Sequence, residues 1–170
     1  SEYSEQTEEP EEELKENIFP SFITEEWGTN GTFNILEESD YSIRFTADAP
    51  WSGPLYYAPY YWQGKTITLS CDTMSENTKF DIMTTSWGAL FELTPENSPL
   101  TVTLPNEPIM FCLQSSSPDV GVTREVYATG LRITSEDDFE NNVNGITGLN
   151  INKDIYYVGV GEEINISCTV

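Results

Sequence analysis

Thr66-Ile-Thr-Leu-Ser-Cys71 alternates polar and apolar side chains without a break. Successive side chains of an extended strand point to opposite faces, so Ile67, Leu69 and Cys71 share one face and Thr66, Thr68 and Ser70 the other. Ile109-Met-Phe-Cys-Leu113 puts Ile109, Phe111 and Leu113 on one face in the same way. Both segments belong to the core of a layered sheet.

Outward from these two, short period-two segments fill residues 18–137. They run over Thr32 to Leu36, Tyr41 to Ala47, Leu55 to Trp62, Lys79 to Thr84, Ala89 to Thr94, Leu100 to Leu104 and Val126 to Thr134. Turn formers separate them, as in Gln63-Gly64-Lys65, Pro95-Glu-Asn-Ser-Pro99 and Pro105-Asn-Glu-Pro108. No window carries the apolar stripe of a helix. The pattern predicts an all-β, antiparallel sandwich or barrel, with Pro59 and Pro108 at strand starts, edges or bulges because neither donates to a ladder.

Composition narrows the chemistry. Seven basic residues against twenty-nine acidic ones give a net charge of −22, a field that repels phosphate backbones and anionic lipid. Nucleic acid is not an expected partner, and no apolar run approaches the ~18 residues of a membrane span. The chain has no histidine, which removes Ser-His-Asp and Cys-His nucleophiles and every histidine-based zinc site. Paired acids such as Glu25-Glu26, Glu37-Glu38 and Asp137-Asp138 lack any sign of the desolvated pocket a general acid needs. No catalytic residue and no enzyme activity are expected. Cys71, Cys112 and Cys168 are far apart, without Cys-x-x-Cys spacing. They are read as buried free thiols, with a Cys71–Cys112 bridge as the alternative.

Residues Ser1 to Asn17 hold eight glutamates and one lysine, too little apolar surface to offset the entropy of ordering. They are expected to form a disordered acidic arm or linker; the alternative is an arm that docks a basic neighbour in an assembly. At the other end, residues 138–145 read as a polar linker. Beyond it, residues 146–170 alternate twice around Val158-Gly-Val-Gly-Glu162. That stretch resembles the opening of a bacterial immunoglobulin-like domain of group 2, a spacer in bacterial surface and phage virion proteins. Two strands alone are marginal in water, so it is expected to be incomplete.

Four pieces of the central region carry a second resemblance: Glu16-Asn-Ile-Phe-Pro20 leading to Trp27-Gly, Tyr41-Ser-Ile-Arg-Phe45, Gly64-Lys-Thr-Ile-Thr-Leu-Ser70 and Val126-Tyr-Ala-Thr-Gly-Leu-Arg-Ile133. In order and spacing they resemble the carbohydrate-binding-module-like jelly roll that recurs in phage tail, baseplate and other virion proteins. The resemblance implies an antiparallel jelly-roll β-sandwich, location on a virion or a cell surface, and a role in adhesion or host recognition. Unpaired thiols and no leader-like stretch are what a particle assembled inside its host would show; a processed chain would show the same. Members with a structural calcium place an aspartate where this chain has Thr129, so no cofactor is expected. Calcium held by Asp137 and Asp138 is the weaker alternative.

Between Trp51 and Trp62 stand Trp51, Tyr56, Tyr57, Tyr60, Tyr61 and Trp62, six aromatics in twelve residues. Flat rings pack against the axial C–H groups of sugars and bring large contact area at low rotamer cost. Alternation must point half of the run inward. Trp51, Tyr57 and Tyr61 are the expected exposed set, with Trp87 extending the surface from a loop and Arg124 as a hydroxyl donor or surface ion-pair partner. Two functions remain open: glycan binding through this platform, or a purely architectural virion piece such as a capsid decoration, head fibre or tail adaptor. In the second, the same residues meet neighbouring subunits or a second copy of the chain.

Overall fold

The computed structural model of the chain describes residues 15–116 and 119–139. Most of the acidic arm, the linker from residue 140 onward, Cys168 and the immunoglobulin-like stretch therefore lie outside the described residues.

Twelve strands follow in chain order: β1 (Gly28–Asn30), β2 (Phe33–Ser39), β3 (Ser42–Ala47), β4 (Gly53–Tyr57), β5 (Thr66–Ser70), β6 (Thr73–Met74), β7 (Thr78–Thr84), β8 (Ala89–Leu93), β9 (Leu100–Thr103), β10 (Ile109–Ser115), β11 (Arg124–Thr129) and β12 (Arg132–Thr134). All pairings are antiparallel. They form a five-stranded sheet β1-β4-β10-β7-β8, a four-stranded sheet β2-β3-β11-β6 and a three-stranded sheet β12-β5-β9. The fold is an all-β sandwich, as the alternation predicts.

One core joins the layers. Phe80 and Ile82 of β7 and Ile109, Phe111 and Leu113 of β10 meet Ile43 and Phe45 of β3, Val126 and Ala128 of β11, and Ile67 and Leu69 of β5. Aromatic contacts tie it at the centre: the Phe111 ring lies 5.4 Å from Trp62 and 6.2 Å from Phe80. On the surface of the three-stranded sheet, hydroxyl pairs bridge Thr66 to Thr103 at 2.9 Å and Thr68 to Thr101 at 2.8 Å.

Phase alone describes only half of β10, every residue of which is buried. Met110 and Cys112 face away from the main core and form a second small cluster with Leu55 and Met83. The five-stranded sheet is thus apolar on both faces at its centre, and its outer face has something to cover.

Other departures have local causes. The strand expected over Leu55 to Trp62 stops at Tyr57. Pro59 has no N–H to extend the ladder, and the chain enters a 3-10 turn over Tyr60–Trp62 that drops Trp62 into the core. The strand expected over Val126 to Thr134 divides at Gly130, whose φ of 59° suits glycine, leaving β11 and β12 in different sheets. Strands β1 and β6 have only three and two residues, too few for alternation to register.

Cys112 is buried, Cys71 is half-buried rather than fully enclosed, and both thiols are free, which excludes the Cys71–Cys112 bridge. Burial, with the neighbouring Asp81 charge, pushes the Cys112 thiol up to about 12, so it is inert at neutral pH. The folded unit takes in residues placed by sequence in the arm and the linker. Asn17 donates to the Leu131 carbonyl at 3.1 Å and accepts from the Ile133 N–H at 3.0 Å, and Phe139 packs edge-on to Trp62 at 4.8 Å.

Candidate functional site

Register places the polar exceptions of the five-stranded sheet side by side on its outer face. In β7, Lys79, Asp81 and Met83 alternate with the core residues Phe80 and Ile82. Gln114 of β10 pairs with Lys79 and Cys112 with Asp81, while Glu92 of β8 pairs with Asp81 from the other side. On the far side of β4, Asn30 of β1 pairs with Gly53. Two loops rise over this face, the β3–β4 connection carrying Trp51 and the β7–β8 turn carrying Trp87. Between them lies an open cleft of about 600 Å³, lined by Asn30, Trp51, Asp81, Met83, Trp87 and Gln114 among others.

Both tryptophans are held in a backbone conformation that bulky residues rarely adopt. Trp51 has φ 61° and Trp87 has φ 68°, and they are the only non-glycine residues with positive φ among the described ones. Such positions cost on the order of 1–3 kcal/mol each and persist only where surrounding structure over-determines them. The determinants are visible. Trp51 donates its N–H to the Ser115 carbonyl at 2.8 Å, and its own carbonyl accepts from Asn30 Nδ2 at 2.5 Å. Trp87 closes a turn by donating to the Thr84 carbonyl at 3.0 Å, and the Thr84 N–H then reaches the Gly88 carbonyl at 2.8 Å. In hairpins the left-handed position after such a turn ordinarily goes to glycine. Here the glycine comes one residue later, and both indoles stand about half exposed, 49% for Trp51 and 51% for Trp87.

Beneath them Asp81 is only 2% exposed. Its Oδ2 accepts from Gln114 Nε2 at 2.9 Å and lies 3.8 Å from Lys79 Nζ, whereas its Oδ1 has no hydrogen-bond partner among the described residues. The Lys79 ammonium is shared: 2.9 Å from Glu92 and 5.5 Å from the centre of the Trp51 ring, a cation–π distance. Burial raises the Asp81 carboxyl above its ordinary 3.8, opposed by Lys79 and Gln114. A raised carboxyl pKa means that the folded chain holds its proton more tightly than the unfolded chain. Stability attributable to Asp81 is therefore retained below about 3.8 and lost as pH rises from there through the folded-state value. Asp81→Asn removes this penalty. The advantage of the variant over wild type in urea unfolding is expected to be larger at pH 7 than at pH 3.5; a smaller advantage at pH 7 would show that the Lys79 pair outweighs burial.

The expected platform residues separate. Trp51 and Trp87 come together in the cleft. Tyr57, 61% exposed, pairs with Met110 on the same sheet without lining the cleft. Tyr61 is half-buried and lines a different pocket, with Tyr41, Tyr56 and Phe139. Arg124 sits in the four-stranded sheet and forms an ion pair with Asp119 at 2.6 Å, without lining the cleft. Lys79, Asp81, Gln114 and Asn30 were not singled out from sequence. Among the described residues no three His, Cys, Asp or Glu side chains group as a metal set; Asp137 accepts from the Thr66 N–H at 2.7 Å. No helix of the described residues is long and apolar enough to cross a membrane.

Compared with known proteins, the chain matches no family model, no curated protein and no solved structure.

Proposed function

We propose that this chain is a non-catalytic jelly-roll module of a phage virion or bacterial surface protein, and that it binds host-surface carbohydrate in the cleft between Trp51 and Trp87. One observation carries the reading. Two half-exposed indoles, each held at a strained positive φ, flank a single cleft whose floor presents Asp81 and Gln114. Strain of that kind concentrates where a side chain must be displayed. Aromatic walls with a few fixed polar groups match the two surfaces of a sugar, its C–H faces and its hydroxyl rim. The strongly acidic surface and the resemblance of the four central segments support a virion or cell-surface setting.

A glycan array and a pull-down on host wall polysaccharide test the reading. Wild type is expected to bind, and Trp51→Ala should weaken the binding by roughly 30-fold, the scale of an aromatic hot spot of about 2 kcal/mol. No binding by wild type on either surface would overturn the proposal in favour of an architectural role, in which the same tryptophans contact a neighbouring subunit.

A further inference from the structure

The cleft floor holds one buried polar atom without a hydrogen-bond partner among the described residues. Buried carboxylate oxygens without a hydrogen bond are rare, because each loses hydration without recovering it. Asp81 Oδ1 is such an oxygen, on a residue that lines the cleft, and its sister Oδ2 is already engaged by Gln114 at 2.9 Å. With Asp81 only 2% exposed and Oδ1 itself closed to solvent, the side chain must turn toward the cleft on binding, and the group it meets must be as small as a hydroxyl. The local charge adds a constraint. Among the described residues Lys79 is the one cation that lines the cleft, and it is balanced by two carboxylates, Glu92 at 2.9 Å and Asp81 at 3.8 Å. A ligand carboxylate, sulfate or phosphate would meet an excess of negative charge in a partly desolvated site, within a chain of net charge −22.

We infer that the ligand of the Trp51–Trp87 cleft is an uncharged glycan, and that Asp81 Oδ1 sets specificity by accepting a hydrogen bond from one of its hydroxyls. The inference rests on the glycan-binding reading and sharpens it. Gln114 acts as a positioning residue, since its amide engages Oδ2 at 2.9 Å and leaves Oδ1 as the acceptor still to be used. A hydrogen bond to a buried charged acceptor discriminates strongly, because a ligand lacking the donor leaves the acceptor unpaired.

The test uses the full chain on an array of neutral hexose and N-acetylhexosamine oligosaccharides beside their sialylated, sulfated and uronic counterparts. Wild type is expected to bind neutral members and to reject the acidic ones by tenfold or more. Asp81→Asn should lose tenfold or more on the best neutral ligand and narrow the discrimination against its acidic counterparts. A monodeoxy series of that ligand should contain one member that weakens wild type by tenfold or more and leaves Asp81→Asn unchanged, a coupling that a merely structural aspartate would not produce. Tighter binding of acidic glycans by wild type, or full affinity in Asp81→Asn, would overturn the inference while leaving the cleft as a glycan site if Trp51→Ala still weakens binding as expected above. Absence of glycan binding by wild type would instead remove the reading beneath it. Wild-type charge selectivity tests the uncharged ligand class and the monodeoxy series on wild type tests for one required hydroxyl, both without any variant, so a folding defect in Asp81→Asn does not block the answer.

Discussion

Replacing both Trp51 and Trp87 by glycine is expected to abolish glycan binding while leaving the chain at least as stable as wild type. Each indole in the cleft is worth about 2 kcal/mol as an aromatic anchor, so the pair together should weaken binding by roughly a thousandfold. Stability should move differently at the two positions. Trp87 occupies a left-handed turn position with φ 68°, where a Cβ costs on the order of 1–2 kcal/mol and glycine costs about 0.5–1 kcal/mol of unfolded-chain entropy. The half-exposed ring contributes little burial in return, so Trp87→Gly should raise the unfolding free energy by up to ~1 kcal/mol. Trp51→Gly relieves the same kind of strain but gives up the contact with Lys79, worth about 0.5–1 kcal/mol at such a site, and should come out near neutral. Urea unfolding alongside calorimetric titration with the best array ligand measures both quantities. Loss of 2 kcal/mol or more of stability with binding intact would make the tryptophans structural and empty the cleft of its proposed purpose. Opposite movement of stability and affinity is the signature of a displayed binding residue, since strained functional positions trade one for the other.

The same contrast explains what could be read from the chain before its fold was known. Alternation in Thr66 to Ser70 and in Ile109 to Leu113 identified strands and their inward faces, because a period of two is a local property of an extended backbone. It did not show that Met110 and Cys112 are buried as well, since burial on the second face depends on which strands lie alongside, here β4 and β7. Trp51 was recognisable as a candidate because it opens the aromatic run that ends at Trp62, and Trp87 because it lies in a loop between strands. Their pairing across one cleft was not recognisable, because the β3–β4 and β7–β8 connections are brought together only by the strand order of the sheet. Asp81 was missed for a related reason. In Lys79-Phe-Asp-Ile-Met83 the charged residues look like the solvated face of an ordinary strand, and the one local hint was that Met83 shares their face. Gln114 acquires meaning only through its register with Lys79. Tyr61 was expected to be exposed by continuing the strand through Pro59; once the chain turns there, the phase argument no longer applies to it.

Gly53→Ala should be the most damaging single substitution in the neighbourhood of the cleft, for a reason that is steric and lies in the backbone. A Cβ at Gly53 would overlap the Leu113 carbonyl oxygen, with the Leu113 carbonyl carbon and Gln114 Cα both at 3.0 Å. No flexible side chain can move aside, since every one of these atoms is main chain of the fully buried central strand β10. Strand β4 cannot withdraw freely either. Gly53 is paired with Asn30 of β1 on its other side, and just before it the Trp51 N–H and Ser52 carbonyl are bonded to Ser115. Relief therefore requires the start of β4 to peel away from β10, and the expected cost is about 3 kcal/mol or more, in the range reserved for strain and disrupted core. For a unit of this size that lowers the melting temperature by about 10 °C or more. Gly28→Ala is the control in the adjacent strand: its Cβ would make only ordinary contacts with Leu55 at 3.7 and 3.8 Å, so it should stay within about 0.5 kcal/mol of wild type. Because Trp51 hangs from the same displaced segment, any folded fraction of Gly53→Ala should also bind glycan more weakly. This variant thus loses stability and affinity together, whereas the tryptophan-to-glycine variants lose affinity alone. If Gly53→Ala melts within 2 °C of wild type, β4 does not run against β10 as described, and the floor and wall of the cleft are not joined at Ser52–Gly53.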